Sequence, residues 1–234
     1  MITLRPFTAL GHADHGWLDA RHHFSFADYY DPAHVHWGAL RVWNDDTIAP
    51  GKGFGAHPHK DMEIITYVRD GAITHQDSMG NIGRTLAGDV QVMSAGTGIV
   101  HSEFNKESDT TRIFQIWLLP DRRGHAPSWG THAFPGADRA GQFVTLASGF
   151  EADTDALRIH SNSRVVGATL KKGQTVEYPL GAQRLGYLVP AKGAVLIEGQ
   201  RVGERDGAAL SQTEILSVHA LEDSEIVLVD TLPV

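Results

Sequence analysis

Residues 51–71 read GKGFGAHPHKDMEIITYVRDG. His57 and His59 stand two residues apart, and on a strand such positions face the same way, so both imidazoles can converge on one point. The apolar run Ile64 to Val68, closed by Asp70 and Gly71, reads as a buried strand entering a turn. The arrangement returns at His101-Ser102-Glu103, with one imidazole and one carboxylate. If the two segments lie on adjacent strands, three nitrogens and one oxygen meet, a set that suits Fe, Mn, Co, Ni, Cu or Zn. Taken singly, each pair is also what a solvated strand carries; two such pairs on successive strands argue for a site. The candidate ligands of one divalent ion are therefore His57, His59, His101 and Glu103.

Outward from this stretch the chain keeps one rhythm. ALRVWNDD (39–46), AITHQDSMGN (72–81), GRTLAGDVQVMSAGTG (83–98) and TRIFQIWLLP (111–120) are apolar runs separated by Gly, Asn and Asp. Ser78 to Asn81 reads as a hairpin connection and Leu86 to Asp89 as a turn. A second series follows the polar stretch Asp121 to Gly141, which reads as a linker: residues 158–180, 184–202 and 215–233. Gly51 to Gly71 spans 20 residues, and so does Gly173 to Gly193, which points to a duplication. The expected fold is all-β, two jelly-roll barrels in one chain, divided into residues 1–130 and 131–234.

Superposing the halves at those glycines puts Pro179 and Gly181 at the places of His57 and His59. Neither offers a side-chain ligand. His219 falls near the place of His101 but without companions, so the metal site is expected in the N-terminal barrel alone.

Composition excludes several classes. The 234 residues are 41% hydrophobic, enough for a substantial core. Net charge is -8 with the 20 Lys and Arg scattered, so no basic stripe offers itself to nucleic acid or an anionic membrane. With no Cys, disulfides and thiolate ligands are impossible. No apolar run is long enough for a signal peptide or a membrane span, and the expected location is cytoplasmic.

The spacings Gly51-x5-His57-x-His59-x3-Glu63 and Gly96-x-Gly98-x2-His101-x3-Asn105 closely follow the two cupin motifs. Longer runs are more specific: GHADHGWLDARHHFSFADYYDP (11–32), GFGAHPHKDMEIITYV (53–68), HQDSMGN (75–81), SAGTGIVHSEFN (94–105) and FQIWLLP (114–120). Across essentially the whole chain these resemble pirin and its bacterial pirin-like relatives, some of which are quercetin 2,3-dioxygenases. The resemblance implies a bicupin whose ion, iron foremost, is held by His57, His59, His101 and Glu103. It also implies that Glu63, the ligand in many other cupins, lies outside the metal's immediate ligands.

The implied reaction opens the heterocycle of a flavonol such as quercetin with O2, releasing a depside and carbon monoxide, with Glu103 taking the proton of the 3-hydroxyl. The alternative is an iron-dependent regulatory module that binds a protein partner without turnover, and a third is other cupin chemistry at the same ion. A monomer is expected. His22 and His23 could line the pocket or simply pack; His34, His36 and His75 read as strand positions with hydrogen-bonded rings; His12, His15, His125, His132 and His160 read as surface or loop. Of Phe24, Phe26, Phe54, Phe104, Phe114 and Trp117, two or three are expected near a ligand.

Overall fold

The computed structural model describes residues 1–234. Its first half forms β1 (Ile2–Arg5), β2 (Gly11–Asp14), β3 (Leu18–His22), β4 (Leu40–Ile48), β5 (Gly53–His59), β6 (Glu63–Asp70), β7 (Ala72–Asp77), β8 (Ile82–Leu86), β9 (Val90–Ser94), β10 (Ile99–Phe104), β11 (Thr111–Leu118) and β12 (Ser128–His132). The second half forms β13 (Val144–Ser148), β14 (Leu157–Arg158), β15 (Arg164–Leu170), β16 (Thr175–Pro179), β17 (Leu185–Lys192), β18 (Val195–Ile197), β19 (Gln200–Val202), β20 (Gly207–Leu210), β21 (Ile215–Ala220) and β22 (Ser224–Thr231). One 3-10 turn, Phe7–Ala9, is the helical content, and no helix is long and apolar enough to cross a membrane. The all-β, two-barrel expectation holds.

Each barrel closes a four-stranded sheet over a seven-stranded one. The N-terminal sheets run β5-β10-β7-β8 and β12-β9-β6-β11-β4-β3-β2; the C-terminal ones run β16-β21-β18-β19 and β1-β20-β17-β22-β15-β13-β14. The four-stranded sheets and the inner strands β9-β6-β11-β4 and β20-β17-β22-β15 repeat in order while the sheet edges differ, which supports the duplication. Its glycine markers also match in backbone: Gly71 and Gly193 have φ of 75° and 74°, a left-handed conformation that favours glycine at these turns. The chain turns between His59 and Glu63, where Asp61 has a φ of 48°, and β5 and β6 enter different sheets.

The two seven-stranded sheets pack face to face. Their shared core takes Leu40, Trp43, Ile65, Tyr67, Phe114 and Ile116 from one barrel and Val165, Tyr187, Val189, Val227 and Val229 from the other. Burying one such side chain contributes about 1.5–3 kcal/mol. Charged groups cross the same interface. Arg69 on β6 donates to Asp45 of β4 at 2.9 Å and to the Ala191 carbonyl of β17 at 2.9 Å. Arg205, between β19 and β20, also donates to Asp45.

Strand residues alternate between this interface and the barrel lumens, and the lumens differ. In the N-terminal barrel a polar row crosses five strands in register: His22, Asn44, Gln115, Thr66 and Gln91. The corresponding C-terminal row is Val166, Leu228, Leu188 and Ala208, all within a 17-residue apolar cluster. The glycine offset carries Asn44 to Val166 and Thr66 to Leu188, so one barrel keeps polar groups where the other is filled with hydrocarbon. The register also corrects one sequence expectation. His57 pairs with His101, and its counterpart Pro179 pairs with Ile215; His219 sits four residues further along β21, opposite Thr175.

Two chain segments cross the expected division at residues 130 and 131. β1 pairs with β20 of the C-terminal sheet, and β12, which spans the division, pairs with β9 of the N-terminal sheet. The stretch Asp121 to Gly141 is thus more than a linker, since it supplies an edge strand and the buried Arg139. We propose a division by sheet, with residues 2–5 assigned to the C-terminal barrel and 128–132 to the N-terminal one.

Candidate metal centre

The centre is built where β5 meets β10. Antiparallel register sets His101 opposite His57, and alternation turns His59 to the same side. Nε2 of His57 and Nε2 of His101 are 3.1 Å apart. Ring centroids are separated by 4.8 Å between His57 and His59 and by 5.0 Å between His59 and His101. One ligand atom from each of the three lies within 4.8 Å of the others. Nδ1 of His57 is 2.7 Å from the Gly55 carbonyl, which marks Nδ1 as the N–H donor and leaves Nε2 its lone pair.

The donor set fits a first-row ion. The 3.1 Å spacing is what neighbouring nitrogens about 2.1 Å from a common ion show. Burial, with His57 beside it, lowers His59 to about 4. Burial lowers His101 to about 3, helped by His57, His59 and His75. Both rings are therefore neutral near pH 7, and no proton has to leave before a metal binds.

Glu103 stands beside His101 and is set back from the other two histidines. A bulge separates it from His101 on the β5 side, so it lies across from Phe54, while on the β7 side it faces His75. It groups with His101 and His75, not with His57 and His59. Three side chains of the polar row donate to it: Thr66 Oγ1 at 3.2 Å, Gln91 Nε2 at 2.6 Å and Gln115 Nε2 at 2.5 Å. Burial pushes its carboxyl up to about 7, against the pull of those hydrogen bonds.

His75 is the member the sequence did not reveal. It is a buried strand residue with a bonded ring, as expected: Nε2 lies 2.9 Å from Asp77 Oδ2. Its Nδ1 is 3.5 Å from Nδ1 of His101, which makes it a neighbour of the centre. Asp77 is held in turn by the Ser78 to Asn81 hairpin, accepting from Asn81 Nδ2 at 2.9 Å. Only the pairing of β7 with β10 brings these groups together, and no spacing within one strand encodes that. Glu63 joins neither group; it accepts from Ser94 Oγ at 2.5 Å and lies 3.6 Å from His160 Nδ1.

A cavity of about 790 Å³ opens beside His57 and His59. Its wall is a chain of aromatic rings: Trp17 and Phe54 at 5.5 Å, Phe54 and His57 at 6.5 Å, His59 and Trp117 at 4.9 Å, Trp117 and Phe26 at 5.4 Å. Three of the six singled-out aromatics, Phe26, Phe54 and Trp117, line it. Phe24 and Phe114 belong instead to the inter-barrel core.

His22 and His23 divide their roles. His22 lines the cavity and is fixed by Asn44 at 2.8 Å, whereas His23 packs against Tyr187 at 2.9 Å. His34 and His36 are loop residues, not strand positions, because the β3–β4 connection carries them. His12 and His15 line the cavity, and His125 is buried against Asp121. Gln115 is both a wall residue and a donor to Glu103, so Glu103 lies one side chain behind the cavity surface.

Comparison with known proteins agrees with this architecture. Residues 3–118 match the family described as Pirin, and residues 145–231 match the quercetinase C-terminal cupin domain. A pirin-like protein of Caulobacter vibrioides is 64% identical over 98% of this chain and 99% of its own length. Quercetin 2,3-dioxygenase of Escherichia coli is 43% identical over 100% of both chains. The crystal structure of the bacterial pirin YhhW from Escherichia coli, in complex with nickel(II), superposes with a TM-score of 0.94 at 42% identity, covering 100% of each chain. The chain belongs to the pirin family, with its two domains of cupin type.

Proposed function

We propose that this chain is a metal-dependent dioxygenase that opens the heterocycle of a flavonol with O2, releasing a depside and carbon monoxide. The observation that carries the reading is the aromatic-walled cavity of about 790 Å³ with two candidate metal-binding imidazoles on its surface. A planar polyhydroxylated aromatic fits such a wall, and a regulatory site would need no cavity of this size.

His57, His59 and His101 would hold one divalent ion, with iron the ion expected, and Glu103 would complete the set. The ion would supply Lewis acidity to a substrate hydroxyl and a path for electron density towards O2. Thr66, Gln91 and Gln115 orient the Glu103 carboxyl, whose affinity for a proton near neutrality suits it to accept one from the 3-hydroxyl. Trp17, Phe54 and Trp117 would stack on the rings and exclude water.

Anaerobic reconstitution with Fe, Mn, Co, Ni, Cu and Zn in turn, followed by oxygenated quercetin, tests the reading. Metal-dependent loss of quercetin absorbance with release of carbon monoxide is the expected result. Tight metal binding without turnover of any flavonol would reject it in favour of a regulatory or other cupin role.

A further inference from the structure

Asp45 and Asp46 are consecutive on β4 and point to opposite faces. Asp45 enters the inter-barrel interface and is met by two arginines, Arg69 and Arg205. Asp46 enters the lumen of the metal-bearing barrel and meets none. Its cross-strand neighbours are Ala20 on β3 and Ile113 on β11, so a carboxyl stands in an otherwise apolar row beside the polar one. Asp46 is 3% exposed, and its Oδ1 has no hydrogen-bond partner.

Asp46 also lines the cavity that holds His57 and His59. The other polar groups deep in that wall are already engaged: Asn44 with His22, and Gln115 with Glu103 and Trp117. Asp28, the second carboxyl of the wall, is exposed. A buried polar group without a partner is unfavourable, and such groups persist in folded proteins chiefly where something else completes them. It belongs to neither group of potential metal ligands.

We infer that Asp46 is the hydrogen-bonding contact through which the cavity recognises a hydroxyl group of an aromatic substrate. The inference rests on the proposed reading of the cavity as a flavonol site, and adds the residue that selects among flavonols. A ligand bearing a hydroxyl opposite Asp46 completes its hydrogen bonding. A ligand lacking that hydroxyl fills the cavity and leaves the carboxyl both dry and unpaired, which penalises it. Burial, with Asp45, Glu103 and Asp19 as charged neighbours, pushes the Asp46 carboxyl well above the usual range.

The test is a matrix of variants against ligands. Quercetin and analogues each lacking one hydroxyl are titrated into wild type, Asp46→Asn and Asp46→Val, metal-loaded and metal-free. Binding is read from quenching of the wall residues Trp17 and Trp117. Asp46→Val should weaken quercetin binding by about 10- to 100-fold while leaving one deoxy analogue within about twofold of wild type. Asp46→Asn, which keeps a hydrogen-bonding group of the same shape, should retain most of the preference. Uniform weakening of every ligand, or no change for any, overturns the inference. Failure of wild type to bind any flavonol overturns the substrate class itself, and is a distinct result.

Discussion

Asp45→Asn is the most incisive perturbation of the scaffold, because it alters one atom of a strand whose other face lines the substrate cavity. Asp45 is fully buried and Arg69 is 3% exposed, so the substitution leaves a buried guanidinium without its main counter-ion. Glu204, 3.4 Å from Arg69 and half exposed, is a poor replacement. Removing one partner of a buried pair costs about 3–5 kcal/mol. For a chain of this size each kcal/mol lowers Tm by about 2–4 °C, so a fall of about 6–20 °C is expected. Calorimetry and urea unfolding should show it, with the midpoint lowered and the slope unchanged. Metal stoichiometry should stay that of wild type, since the side chains on the lumen face of β4 are untouched. A Tm within about 2 °C of wild type would refute the assignment of Asp45 as the keystone between the barrels, and lost metal binding would refute the separation of the two faces.

Three further outcomes are expected. Replacing His57 and His59 together by Ala should reduce bound metal below stoichiometry in elemental analysis of folded protein; a retained equivalent would disprove the ligand assignment. Glu103→Gln should keep the fold and bind metal through the three histidines, while flavonol turnover falls by about 100-fold or more if Glu103 is the proton acceptor; wild-type turnover rates in this variant would end that role. Burial raises Glu225 to about 7, so the folded chain holds a proton that the unfolded chain releases near 4.5. The folded state then binds more protons between those values, and this contribution to stability is present below pH 4.5 and lost as pH rises to 7. Glu225→Gln should flatten that segment of the stability profile in urea unfolding at pH 5 and pH 7.5; an unchanged slope would place the titration elsewhere.

The sequence disclosed what lies within one strand and concealed what depends on pairing. His57 and His59 were readable because a two-residue spacing on β5 already implies a shared face, and His101 because Gly96 and Gly98 frame it in the same way. The second barrel was readable from equal glycine spacing. His75 was not, since its approach to His101 depends on the register of β7 against β10. The polar row was also hidden: Thr66, Gln91 and Gln115 each look like ordinary polar strand residues until five strands align them. Asp46 beside Asp45 reads as a charged strand end, and only the closure of the N-terminal barrel and its packing on the second show that Asp46 and Asp45 respectively are buried. The misplacement of His219 has the same origin, because counting from a glycine does not fix cross-strand register.

The pairing of β1 with β20 ties the order of synthesis to the order of folding. Residues 2–5 leave the ribosome long before their partner strand at residues 207–210. The N-terminal barrel can therefore assemble its histidines while β1 is still unplaced, and the second barrel gains its edge only once residues 207–210 have emerged. That late closure joins residues 2–5 to residues 207–210, the kind of long-range contact that forms slowly. A bulky fusion at the amino terminus would then hinder the last folding step more than the metal-binding one.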